Sequence, residues 1–141
     1  MRKPTAEKGA RRVNPLAVSK NFRKFVLDQL EELRDVEPKA MFGGVGLYCR
    51  GLFFGIVAGD VLYLKADEET RQMFVAAGSQ PFDPYPGRAG KMQYYSVPIA
   101  VLESATELAQ WARRAVDVAG RQAGPDAREG KAVRRGRNAK A

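Results

Sequence analysis

Few side chains in this sequence are equipped to make or break bonds. It holds no histidine and a single cysteine, Cys49, which removes the usual general base, the commonest metal ligand and any internal disulfide. A Ser-His-Asp or Cys-His nucleophile, a histidine-ligated zinc centre and a histidine proton relay are therefore excluded within the chain. The densest acidic group is Asp67, Glu68 and Glu69. It falls where a helix begins: the dipole favours negative charge there, and sequence neighbours point to different sides, so it reads as helix chemistry and not as paired catalytic carboxylates. Cys49 alternates with Leu47 and reads as a buried apolar thiol, while Arg50 points to the opposite face and leaves it without a cationic activator. No catalytic residue, metal ligand or cofactor is expected.

Two glycine-rich stretches invite a phosphate-binding reading. Met41-Phe42-Gly43-Gly44-Val45-Gly46 is neither GxGxxG nor GxxxxGK[ST], and a strand follows it where a helix should, so glycine at a strand bend or bulge accounts for it. In Pro86-Gly87-Arg88-Ala89-Gly90-Lys91 the glycines are too close together, and Met92 stands where a magnesium-binding hydroxyl belongs. Gly43, Gly44, Gly46, Arg88 and Lys91 are read instead as contacts for a partner. Phe53, Phe54, Tyr63, Tyr94 and Tyr95 fall on strands, as in sheets that stack single-stranded bases; with no basic cluster on those strands, a core and cross-strand role is expected. Trp111 reads as a packing anchor on the last helix.

The chain that must position these residues has 141 amino acids, 45% hydrophobic and 28% charged, which suits one globular domain with a modest core. No apolar run approaches the roughly 20 residues of a membrane span, and the basic first residues have no apolar signal core, so a cytoplasmic protein without membrane association is expected. The net charge of +8 is unevenly spread. Residues 1–18 hold five basic groups against Glu7, and residues 121–141 hold seven against Asp126 and Glu129, which leaves 19–120 at −1. The sequence thus divides into a basic arm (1–18), a folded domain (19–120) and a basic tail (121–141) too poor in large apolar groups to order itself. Arg2, Lys3, Arg11, Arg12, Arg128, Lys131, Arg134, Arg135, Arg137 and Lys140 are the expected phosphate contacts if DNA or RNA is a ligand.

Within the domain, Phe22, Phe25, Val26, Leu30 and Leu33 recur at helical spacing behind Ser19 or Asn21 as N-cap. Strands are predicted at Val36 to Phe42, Gly46 to Arg50, Leu52 to Ala58 and Val61 to Lys65, with tight turns at Arg50-Gly51 and Gly59-Asp60. A helix from Asp67 to Gly78, an irregular loop from Pro81 to Gly90 and a strand from Lys91 to Val97 follow. Ser104 to Glu107 matches a capping box ahead of a terminal helix through Ala119. Helix, meander, helix, strand, helix predicts an α+β fold: an antiparallel sheet of about five strands with helices packed on it.

MFGG and GLY at 41–48, LYLK at 62–65, Ala77-Gly78-Ser79 before Pro81-Phe82, Tyr94-Tyr95 before Val97-Pro98, and Trp111-Ala112 stand here in a specific order. Over roughly Phe22 to Val118 the chain resembles the N-terminal domain of the bacterial TfoX/Sxy family. That resemblance implies a secretion-chaperone-like α+β fold and a family tied to natural competence, DNA uptake and its transcriptional control. Full-length regulators of this kind carry a second, helical domain of helix-hairpin-helix character, where this sequence has a short basic tail. No catalytic residues are implied. The expected function is a non-enzymatic regulatory module acting through contacts with a protein partner or with a second copy as a homodimer. Sequence-nonspecific nucleic-acid binding through the basic arms is the alternative.

Overall fold

The computed structural model describes residues 17–41, 43–83 and 93–140, with the side chains of 124–140 excepted. Its elements are α1 (Lys20–Gln29), β1 (Val36–Met41), β2 (Gly44–Cys49), β3 (Leu52–Ala58), β4 (Val61–Lys65), α2 (Glu68–Ala76), β5 (Tyr94–Ser96), α3 (Ile99–Leu102) and α4 (Ala105–Lys140). The strands form one antiparallel sheet in sequence order, β1-β2-β3-β4-β5. The meander follows from its turns. Arg50 and Gly51 take φ of 50° and 84°, and Gly59 and Asp60 take 55° and 58°, the pair of positive angles that a two-residue hairpin needs to match strand twist.

Register decides which side chains share a face. Cys49 pairs with Leu52 and Tyr48 with Phe53, but Leu47 pairs with Gly55, so Phe54 is the extra residue of a β-bulge. The bulge lets Phe54, fully buried, join Leu47, Cys49, Val57, Leu62 and Leu64 on the face that carries the helices. Across them lies α4, which runs over β3 and β4 and contributes Leu108, Ala112, Ala115 and Ala119. Val26 and Leu30 come from the α1 side and Phe74 from α2. Phe74 meets Trp111 edge-on at 5.0 Å and Tyr95 at 5.8 Å, the geometry that aromatic quadrupoles favour. Burial of each large side chain here contributes about 1.5–3 kcal/mol.

The helix ends bear out the predicted cap at Ser19 and add one at Asp67, expected only as a first-turn acid. Ser19 Oγ accepts the Phe22 N–H at 3.1 Å, and Asp67 Oδ1 accepts the Thr70 N–H at 2.8 Å while Thr70 Oγ1 accepts the Asp67 N–H at 3.1 Å. Ser104 Oγ accepts the Glu107 N–H at 3.2 Å, but its own N–H goes back to the Val101 carbonyl at 3.0 Å, so only half of that capping box forms. Gly78, at φ 83°, closes α2.

Several boundaries differ from expectation. α1 ends at Gln29; Leu30 and Leu33 lie in the turns beyond it, still buried. β2 starts at Gly44, two residues early, because its glycines pair with Met41 and Lys39 instead of bending away. β5 is confined to Tyr94–Ser96, and Pro98 caps a one-turn helix, α3, that sequence periodicity is too short to reveal. α4 does not stop near Gly120. Its backbone stays helical to Lys140, in place of the disordered tail expected from composition; Ala, Arg and Lys favour helix locally, against the cost of Gly124, Pro125, Gly130 and Gly136. Phe42, the end of the predicted first strand, and most of the loop before β5 lie outside the described residues.

Both sheet edges are blunted. Segment 80–82 covers β5: Phe82 N–H reaches the Tyr94 carbonyl at 2.7 Å and Ser96 N–H the Gln80 carbonyl at 2.9 Å. On β1, Met41↔Gly44 closes a two-residue hairpin and is thus a hydrogen-bonded pair. Strict alternation then turns the backbone groups of Val36, Pro38 and Ala40 outward. The nitrogen without a hydrogen therefore sits on the open side.

Candidate functional site

Among the described residues no helix packs on the second face of the sheet. The pairing places Lys39, Gly46, Tyr48, Phe53, Ile56, Tyr63, Lys65 and Tyr94 there. Tyr48 stacks on Phe53 at 4.9 Å with planes 23° apart, Phe53 meets Tyr94 at 5.5 Å, and Tyr63 meets Phe82 at 4.8 Å. Ile56, Ala58, Phe82 and Tyr94 are buried, and Phe53 and Tyr63 are partly buried against them. Tyr48 is likewise partly exposed. Gly46 has a local reason: a Cβ there would lie 2.7 Å from Met41 Cε and 3.2 Å from Phe53 Cε1, so a side chain at this position would displace the end of Met41 from over the strand.

Two lysines flank the rings. Lys39 Nζ lies 4.9 Å from the Tyr48 centroid and Lys65 Nζ 4.8 Å from that of Tyr94, 3.4 Å from its hydroxyl. Both are cation–π contacts. Burial lowers the Lys65 pKa and raises that of Tyr63. Tyr94 is pushed up to about 12 by burial and, secondarily, by Tyr48. Tyr63 and Tyr94 are therefore neutral at physiological pH.

Part of this arrangement escapes a reading of the sequence. No basic cluster accompanies the strand aromatics along the chain, whereas in the fold Lys39 and Lys65 arrive from strands that are not sequence neighbours. Tyr48 is also absent from the expected strand aromatics, although period-two alternation from Gly46 would put it on this face. Phe54 and Tyr95 belong to the helix-covered core as expected, and Trp111 is the packing anchor that its helical spacing suggests.

Of the expected partner contacts, the described residues include the three glycines alone. Gly44 and Gly46 are buried, and only Gly43, at φ 87° in the β1–β2 turn, is exposed. Arg88 and Lys91 lie outside the described residues, as do Arg2, Lys3, Arg11 and Arg12; for Arg128, Lys131, Arg134, Arg135, Arg137 and Lys140 the helical backbone alone is described. Cys49 is fully buried, its thiol donates to the Arg34 carbonyl at 3.4 Å, and burial raises its pKa against the weaker opposing pull of Arg50. Such a thiol is a poor nucleophile.

Two surface hollows remain. One, of about 350 Å³, lies beside the start of α2 and is lined by Asp67, Arg71, Gln93 and Tyr95 among others. Its carboxylate is already engaged. The Thr70 N–H and the Arg121 guanidinium, which donates at 2.8 Å, hold the Asp67 carboxyl down at about 2. The other, of about 270 Å³, runs along α1 between Lys20, Arg23, Lys24, Leu27 and Asp28. On the same helix Phe25 is 39% exposed, with Phe22 at 6.3 Å. Among the described residues, no cluster of three or more His, Cys, Asp or Glu side chains could hold a metal ion, and no helix is long and apolar enough to cross a membrane.

A search of curated proteins found no match. A family model, described as the TfoX N-terminal domain, matches residues 28–119, from the last turn of α1 through the body-packed part of α4, and so takes in every strand and both aromatic layers. With well over half of its length matched, the chain belongs to the TfoX N-terminal domain family.

Proposed function

We propose that this chain is a non-enzymatic regulatory module, in keeping with a family related to competence, and that it works through protein contacts. The supporting observation is the outer surface of α1. Phe25 is the one aromatic among the large exposed hydrophobics of the described residues, and it shares α1 with a groove whose three cations outnumber Asp28. Exposed apolar surface rimmed by charge is a feature of interaction sites. The fitting partner is an acidic protein segment with an apolar anchor. A photocrosslinking residue placed at position 25 of the full chain should give one discrete protein adduct in cells, reduced by Arg23→Glu, and none from position 75, where the exposed Val75 stands apart. Equal labelling from both positions would overturn this reading.

A second reading is favoured by the charge distribution relative to the family match. Residues 28–119 hold nine basic and thirteen acidic groups, whereas residues 1–27 hold eight basic groups against Glu7, and 120–141 hold seven against Asp126 and Glu129. All the excess positive charge therefore flanks the matched segment, as an electrostatic footprint for nucleic acid would. Replacing Arg128, Lys131, Arg134, Arg135, Arg137 and Lys140 by Gln should flatten the salt dependence of duplex DNA binding, by about 0.9 in log–log slope for each phosphate no longer neutralised. An unchanged slope would remove this reading.

A further inference from the structure

We propose that the second face of the sheet binds single-stranded nucleic acid, with bases stacked on Tyr48, Phe53 and Tyr63 and phosphates held by Lys39 and Lys65. This goes beyond the reading above, since it uses neither the α1 surface nor the basic flanks. Three observations carry it. The Tyr48 and Phe53 rings lie within 23° of parallel at 4.9 Å, a started stack that one more planar group extends. Both rings are partly exposed, and every base has a π-face to offer them.

Charge is the second observation. Lys39 and Lys65 both lie on this face, each over a tyrosine ring, against one acidic residue on its strands, Glu37, which pairs with Tyr48 two residues from Lys39 on β1. The balance favours an anionic ligand. The third is spacing. Lys39 on β1 and Lys65 on β4 are three strand intervals and two residues of register apart, about 16 Å between their backbones, so the two lysines bracket the aromatic strip as phosphates bracket splayed bases. A duplex, whose bases are stacked internally, has nothing to offer such a strip.

The test uses the full chain and fluorescently labelled strands of one length, one a mixed-sequence oligodeoxynucleotide and one abasic throughout. Both carry the same phosphates, so the basic flanks should treat them alike. Base stacking predicts that the intact strand binds at least tenfold more tightly. It also predicts that its addition quenches tyrosine emission, while selectively excited Trp111, in the core on the opposite side of the sheet, is unaffected. Tyr48→Ala should lower the intact strand towards the abasic level, and Lys39→Gln should weaken both and reduce the salt slope by about one phosphate. The comparison of strands needs no variant and stands even if Tyr48→Ala fails to fold. Equal binding of the two strands by the wild-type chain would overturn the proposal and assign any affinity to the flanks. A dimer in size-exclusion chromatography that Lys39→Gln or Tyr48→Ala converts to monomer would overturn it too, by giving the face to a second copy. Loss of the adduct at position 25 would leave it untouched.

Discussion

The two faces of the sheet are made from the same five strands yet are closed in different ways. On one, Phe54, Leu47, Leu62 and Leu64 are sealed by α4, α2 and the α1 segment, and each is fully buried. On the other, aromatic rings seal one another and lysine stems finish the cover. Helices that bring their own apolar stripe produce a dry core. Rings that lean on each other leave edges and π-faces partly in solvent, which is a surface that can exchange a neighbour for a ligand. The difference predicts that stability resides on the first face and recognition on the second.

Truncation measures that division most directly. Phe74→Ala removes the ring that Trp111 and Tyr95 pack against, and should cost about 3–5 kcal/mol in urea unfolding followed by Trp111 emission. Gly46→Ala should cost about 1–3 kcal/mol by overpacking, and Met41→Ala in the same chain should recover part of it because Met41 Cε is the nearest obstacle; a simple sum of the two single losses would show that the crowding is not what glycine relieves. Tyr48→Ala should cost only about 1 kcal/mol. A loss as large as that of Phe74→Ala would make the second face a core like the first.

The smallest effect is a pH dependence on the helix-covered side. Asp67 titrates at about 2 in the folded chain against an ordinary 3.8. A depressed carboxylate contributes stability that is complete above its unfolded pKa and is lost as pH falls through the folded one. Asp67→Asn keeps an N-cap side chain but loses the charge opposite Arg121. Its stability deficit should be constant above about pH 5 and should shrink as pH falls, vanishing only below about pH 2 in acid-denaturation curves; a deficit that persists in strong acid would assign the effect to capping geometry alone.

Local chemistry makes the strands, the I′-like turns, the cap at Ser19, the acidic first turn at Asp67 and the exit at Gly78 legible from sequence, because each depends on residues only a few positions apart. The site is less legible. Phe53 and Phe54 are adjacent, so alternation parts them, but nothing in their types says that a bulge gives Phe54 and not Phe53 to the core. Lys39 and Lys65 become neighbours of the same aromatic strip only through four-strand pairing. Gly44 and Gly46 advertise a flexible loop but serve a strand, the second of them by making room for Met41 and Phe53. The continuation of α4 is hidden for a different reason: its Ala, Arg and Lys favour helix while Gly124, Pro125, Gly130 and Gly136 oppose it, so local propensity gives no single answer.

Pro38 has a consequence for assembly. An edge strand with a full row of outward N–H groups is a template on which another chain can be laid down, the first step to a shared sheet or a fibril. The proline interrupts that row at its middle, between Val36 and Ala40, while the opposite edge is occupied by the chain's own segment 80–82. Copies of this domain are thereby steered away from joining strand to strand. Any encounter between them must be written in side chains, face against face, where a single lysine or tyrosine can decide whether it occurs.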